Sequence, residues 1–100
     1  MSKLRTIEEE LTYLNRKISR EKKLCENLEN VYIPEAKKDY SNVSKFENSN
    51  NAEERKLFLY AAYRLASLNS ELANKRVSIF FDEERINQLQ QELINTPQPE

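Results

Sequence analysis

Glycine and histidine are absent from this chain of 100 residues, and cysteine occurs once, at Cys25. Without glycine the chain lacks the residue that takes positive φ at little cost, so tight hairpin turns and glycine-capped helix ends are not expected. A Gly-rich phosphate loop is excluded outright. Without histidine and with one thiol, neither a Cys/His zinc site nor an internal disulfide can be assembled. A serine or cysteine nucleophile would have no imidazole base. Neither an enzyme nor a bound cofactor is therefore expected, and the single thiol suits a reducing interior.

Long apolar runs are also missing. None approaches the ~20 residues that span a bilayer, and the first ten residues, MSKLRTIEEE, hold no signal-peptide core. A soluble, cytoplasmic protein without direct membrane contact is expected. Charge of one sign is lacking as well. With 16 basic and 17 acidic residues the net charge is −1, which argues against a nucleic-acid partner. Hydrophobic residues make up 38% and charged residues 33%, a balance that suits long amphipathic helices, each burying a narrow stripe.

Periodicity bears this out. Leu4, Ile7, Leu11, Leu14, Ile18, Glu21, Cys25, Leu28 and Tyr32 advance by alternating threes and fours, and only Glu21 breaks the apolar set. Ser2, or Thr6 with Glu9, supplies a start signal. The spacing predicts a first helix over about 3–32. Pro34 is read as its end, because proline disfavours the α region at Ile33 and cannot donate a backbone bond. Residues 33–51 form the connection. Pro34 to Tyr40 is a candidate for a short third helix with proline at its first position, and the Ser/Asn-rich remainder is a candidate loop.

Asn50 with Glu53, or Asn51 with Glu54, caps a second helix predicted over about 52–95. One stripe along it is Phe58, Ala61, Leu65, Leu68, Leu72, Lys75, Ile79, Asp82, Ile86, Leu89 and Leu93. A second is Leu59, Tyr63, Ala66, Ser70, Ala73, Val77 and Phe80, flanked by Tyr60 and Phe81. At about 100° per residue the two lie roughly 150° apart, so they cannot face one partner helix. The expected architecture is all-α: an antiparallel two-helix coiled-coil hairpin, one domain over 1–96, with 97–100 a disordered tail. The first stripe of helix 2 meets helix 1, and Glu21 is expected to meet Lys75 across the seam.

The second stripe then needs its own cover: a further copy, a protein partner, or the 33–46 segment folded back. Its partner-binding candidates are Leu59, Tyr60, Tyr63, Ala66, Ala73, Val77, Phe80 and Phe81. The basic run Arg16, Lys17, Arg20, Lys22 and Lys23 is interleaved with acids and reads as a solvated face. The adjacent acids Asp82, Glu83 and Glu84 follow no metal-loop spacing.

The stretch KKLCENLENVY (22–32) resembles the Rho-effector motif repeat, the antiparallel coiled-coil finger of protein kinase N-type effectors. That family often shows K-E-G-A-E-N-L near the end of its first helix. Lys22, Glu26, Asn27 and Leu28 match it, while Lys23, Leu24 and Cys25 stand where Glu, Gly and Ala are usual. YRLASLNSELANKR (63–76) is similar to the family's second helix. The resemblance implies binding to a small Rho-type GTPase in its GTP form. The alternative is a homo-oligomeric scaffold or an assembly subunit of a larger complex.

Overall fold

The computed structural model describes residues 3–96; the expected Ser2 cap and the 97–100 tail lie outside them. Among the described residues the chain is helical, with no strand. Helix α1 runs Lys3–Asn27 and is followed by a π-helical turn, Leu28–Tyr32. Helix α2 is Ile33–Val43, a 3-10 turn spans Ser44–Phe46, and α3 is Ala52–Asn95. The molecule is a helical hairpin and a thin rod, 77 × 18 × 18 Å.

The first limb does not stop at Pro34. Tyr32 (φ −73°, ψ −44°) and Ile33 (φ −69°, ψ −46°) are both in the α region, so α1, the π turn and α2 form one continuous limb. The Pro34–Tyr40 segment is its continuation, and no separate third helix is present among the described residues. The reason lies in the π turn, where the Ile33 amide donates to the Leu28 carbonyl five residues back. A proline ring ordinarily collides with the carbonyl four residues before it, and a wider turn moves that carbonyl aside.

The same turn resets the buried stripe. An unbroken α-helix would carry the stripe from Leu28 to Tyr32, and next to the polar residues Glu35, Asp39 and Asn42. With one residue absorbed, Ile33 and Ala36 turn inward and are buried, with Tyr40 and Val43 half-buried behind them. Tyr32, expected in the stripe, is exposed.

The reversal is made without positive φ. Glu47 N–H donates to Ser44 O and Ser49 N–H to Phe46 O, both at 3.2 Å. Asn51 then adopts an extended conformation (φ −85°, ψ 120°) and caps α3, its Oδ1 accepting from the amides of Glu53 (2.9 Å) and Glu54 (3.2 Å). Of the two capping pairs the sequence offers, the structure uses Asn51 with Glu54. The return half of the box passes through a serine: Asn51 N–H donates to Ser49 Oγ at 3.0 Å, and that hydroxyl donates to Glu54 Oε1 at 2.8 Å. At the other end, α1 is already running at Thr6, so Thr6 sits inside the helix and is not its cap.

Two apolar clusters hold the limbs together. Nearer the turn, Ile18, Cys25, Leu28 and Ile33 pack with Leu72 and Ile79; toward the open end, Ile7 and Leu14 pack with Leu89. Ile86 touches both clusters. Tyr40 closes the turn end against Phe58, ring centroids 5.6 Å apart. Every member of the first α3 stripe is buried or half-buried, Lys75 and Asp82 included.

Candidate functional site: the outward face of α3

Cross-limb ion pairs show how the faces are assigned. Glu10 pairs with Arg85, Lys17 with Asp82, Lys22 with Glu83, Glu29 with Arg76, and Glu35 and Asp39 with Arg64. From one end of the first limb to the other the partners run from Arg85 back to Arg64, as expected when the chain doubles back, with Lys17 and Lys22 reaching the adjacent Asp82 and Glu83. These pairs flank the seam, and the buried stripe of α3 sets its rotation about its own axis. The second stripe is left pointing away from the first limb.

All eight candidate residues are exposed within the hairpin: Leu59, Tyr60, Tyr63, Ala66, Ala73, Val77, Phe80 and Phe81. Tyr63 is 74% accessible and Phe80 58%. The 33–46 segment does not fold back over them, because its apolar side is committed to the first stripe through Tyr40 and Phe58. Phe80 and Phe81 stack edge to face at 5.6 Å, and the Lys56 ammonium sits 5.9 Å over the Tyr60 ring. An open groove of about 640 Å³ runs along one flank of the face, between Tyr63, Ala66 and Ser70 on its outward side and Lys75, Ser78 and Glu21 at the edge of the seam. Sequence reasoning missed a smaller apolar recess of about 200 Å³ between the limbs, where Leu24 and Tyr32 stand beside Leu28 and Leu68. Tyr32 was assigned to the seam, and the one-residue phase shift at the π turn is what brings it out.

The polar members of the seam pair differently from expectation. Lys75 is ion-paired with Glu71 on its own helix, 3.9 Å away, and not with Glu21. Glu21 lies 3.9 Å from Lys17 and accepts from Ser78 Oγ at 3.5 Å, while its Oε2 is buried without a partner. The cross-limb pair is Lys17 with Asp82 at 3.0 Å, close in distance although too oblique for a directed hydrogen bond at Asp82 Oδ2. An unsatisfied buried oxygen costs about 1–3 kcal/mol, and apolar replacement of such groups is often stabilising. Glu21→Leu is therefore expected to raise stability by about 1–3 kcal/mol, read from urea melts.

Glu10 and Arg85 form a forked pair at 2.8 and 3.3 Å. The Arg85 guanidinium holds the Glu10 carboxyl below its ordinary value, against a smaller opposing effect of burial. Lys17 is raised above the ordinary lysine value by its close contact with Asp82; burial opposes this, and the charges of Asp82, Glu21 and Tyr13 add to it. The Glu10 contribution is present above the unfolded carboxylate pKa and is lost as pH falls through the depressed folded value. Lys17 contributes below the unfolded lysine pKa and loses this as pH rises through the raised folded value. Glu10→Gln is accordingly expected to destabilise at neutral pH and to converge with the parent protein only as pH falls below the ordinary carboxylate range through the depressed folded value, as read from denaturant midpoints across acid pH.

Of the basic run, Lys17 and Lys22 serve the cross-limb ladder, and Arg16, Arg20 and Lys23 face solvent. Among the described residues no group of acids, Cys or His is placed to hold a metal ion, and no helix is long and apolar enough to cross a membrane. Cys25 is a free, buried thiol in the seam.

No family model, no curated protein and no solved structure matches this chain. Of the residues that carry the likeness to the Rho-effector motif, Leu28 is buried in the seam, Lys22 faces Glu83, and Glu26 and Asn27 are exposed.

Proposed function

We propose that this chain is a non-catalytic, antiparallel coiled-coil hairpin that docks a protein partner through the outward face of α3. The observation that carries the reading is the division of one helix into two apolar faces. One is engaged throughout by the first limb; the other holds six large side chains, Leu59, Tyr60, Tyr63, Val77, Phe80 and Phe81, in solvent around a centre of Ala66, Ser70 and Ala73. Burying one large apolar side chain is worth about 1.5–3 kcal/mol, and an exposed contiguous apolar patch is the usual mark of an interaction surface. That face lies on one unbroken helix, so its backbone needs no ordering on binding.

The likeness in α1 points to a GTP-loaded Rho-type GTPase as the partner. Pull-down with the two nucleotide forms tests it: preference for the GTP form is expected, and equal recovery of both forms counts against it. The homo-oligomeric scaffold is the second reading, favoured by the large–small–large grading of the face, which suits another helix of the same shape. For either partner, Tyr63→Asp with Phe80→Asp is expected to abolish association while leaving the helicity of the hairpin unchanged, since both side chains are solvent-exposed within it. Association that survives this double substitution would remove α3's outward face from the account.

A further inference from the structure

We propose that the occupant of the α3 face is a second copy of this chain, packed antiparallel about a two-fold axis through Ser70. This rests on the reading of that face as a docking surface and goes further by fixing partner and register.

The argument is the symmetry of the face about Ser70. When two identical helices pack antiparallel on a two-fold axis, residues equidistant from the axis come opposite one another. Tyr63 then meets Val77, Tyr60 meets Phe80, Leu59 meets Phe81, and Ser67 meets Ala73. Large side chains face large ones at both ends; at the centre Ser67 faces Ala73 and Ala66 faces Asn74, none of them bulky, so the backbones come closest there. Interhelical distance is set by the side chains at the crossing, so the small centre and bulky ends are mutually consistent in this register.

Charge agrees. Lys56 and Glu84 are also equidistant from Ser70 and close the face at its two ends. Among the described residues neither forms an ion pair within the hairpin. The two-fold arrangement supplies each with the other, twice per dimer. Arg64 with Arg76 and Arg55 with Arg85 are equidistant pairs of like sign, and the first limb neutralises Arg64 through Glu35 and Asp39, Arg76 through Glu29 and Arg85 through Glu10. A lone hairpin with so narrow a seam also gains from the extra burial, since small folds commonly complete their cores by association.

Sedimentation of the full chain at tens of micromolar, with cross-linking of Ser70→Cys, tests the proposal. A dimer is expected. Ser70→Cys is expected to form a disulfide-linked dimer under mild oxidation, because the axis brings the two Cβ atoms together, whereas the parent protein, its Cys25 buried, does not. Lys56→Glu or Glu84→Lys alone is expected to weaken the dimer by about tenfold, as two exposed ion pairs become repulsive, and the two together to restore it. These positions are exposed, so circular dichroism should be unchanged in each variant. A monomer at all concentrations would overturn self-pairing and leave the face to a foreign partner. A dimer in which Ser70→Cys does not cross-link and the charge swap does not rescue would overturn the two-fold register while the docking reading stands.

Discussion

In a Pro34→Ala background, deleting Asn30 is expected to leave the hairpin folded with its melting temperature nearly unchanged, whereas deleting Arg20 is expected to remove most of its stability. Both residues are exposed and both lie inside the first limb, so contact loss does not separate them. Phase does. Leu28 and Ile33 are both buried and five residues apart, and the π turn absorbs the extra residue. Without Asn30 they stand four apart, the wide turn closes to an α turn, and the whole limb keeps one stripe. Without Arg20 the stripe slips upstream of that turn. Lys22, Glu26 and Glu29 rotate inward in place of Glu21, Cys25 and Leu28, which exchanges two buried apolar side chains for glutamates. At about 1.5–3 kcal/mol for a large apolar side chain, with a further desolvation cost, the loss is about 4 kcal/mol or more. That is comparable with a typical domain's whole stability of about 5–15 kcal/mol. With Pro34 retained, deleting Asn30 alone is expected to cost about 3 kcal/mol, the penalty of a proline ring inside a regular helix. Thermal melts by circular dichroism on the four variants separate these cases, and equal losses for the two deletions would refute the phase argument.

That turn marks where the sequence was legible and where it was not. The α3 stripe could be followed from Phe58 to Leu93 because its threes and fours never skip and Asn51 announces its start. The first limb held the same information in two registers. Ile33, Ala36, Tyr40 and Val43 advance by threes and fours as faithfully as Leu4 to Leu28, one residue out of step. Pro34 sits beside the step and offers the simpler explanation, an ended helix. Proline blocks a helix because it lacks a donor and crowds one carbonyl, and a local widening answers both objections. Such a widening is only recognisable from sequence once the residues beyond the proline are found to resume the stripe.

The candidate site divides in the same way. Leu59, Tyr63, Val77 and Phe80 were legible as a second face because periodicity alone sets their direction. Pairing along the seam was not, because lysine reaches more than one turn. Lys17 lies off the stripe, yet its ammonium comes within 3.0 Å of Asp82, while Lys75, on the stripe, turns back to Glu71. Stripe membership fixes where a Cα points; it does not fix where a long flexible side chain places its charge.

The polar belt of Lys17, Glu21, Ser78 and Asp82 divides the seam into two apolar clusters, and this division governs how the rod comes apart. Leu89 is 1% accessible and is the anchor of the open-end cluster with Ile7 and Leu14. Leu89→Ala is expected to cost about 2–5 kcal/mol, the range for a buried leucine whose surroundings only partly collapse. The loss should be unevenly felt. Residues 3–14 and 86–95 gain no help from the turn, which tethers only the far end, so their amides should exchange first. The cluster of Ile18, Cys25, Leu28, Ile33, Leu72 and Ile79 shares only Ile86 with the damaged one. Its protection should fall by the smaller amount that Ile86 transmits across the belt. Leu72→Ala is the mirror experiment, loosening the turn end and sparing Ile7 and Leu14. Hydrogen exchange resolved along the chain reads both. A uniform fall in protection for either variant would mean that the belt couples the clusters, and that Lys17, Asp82 and Glu21 hold the seam together where their geometry has them interrupting it.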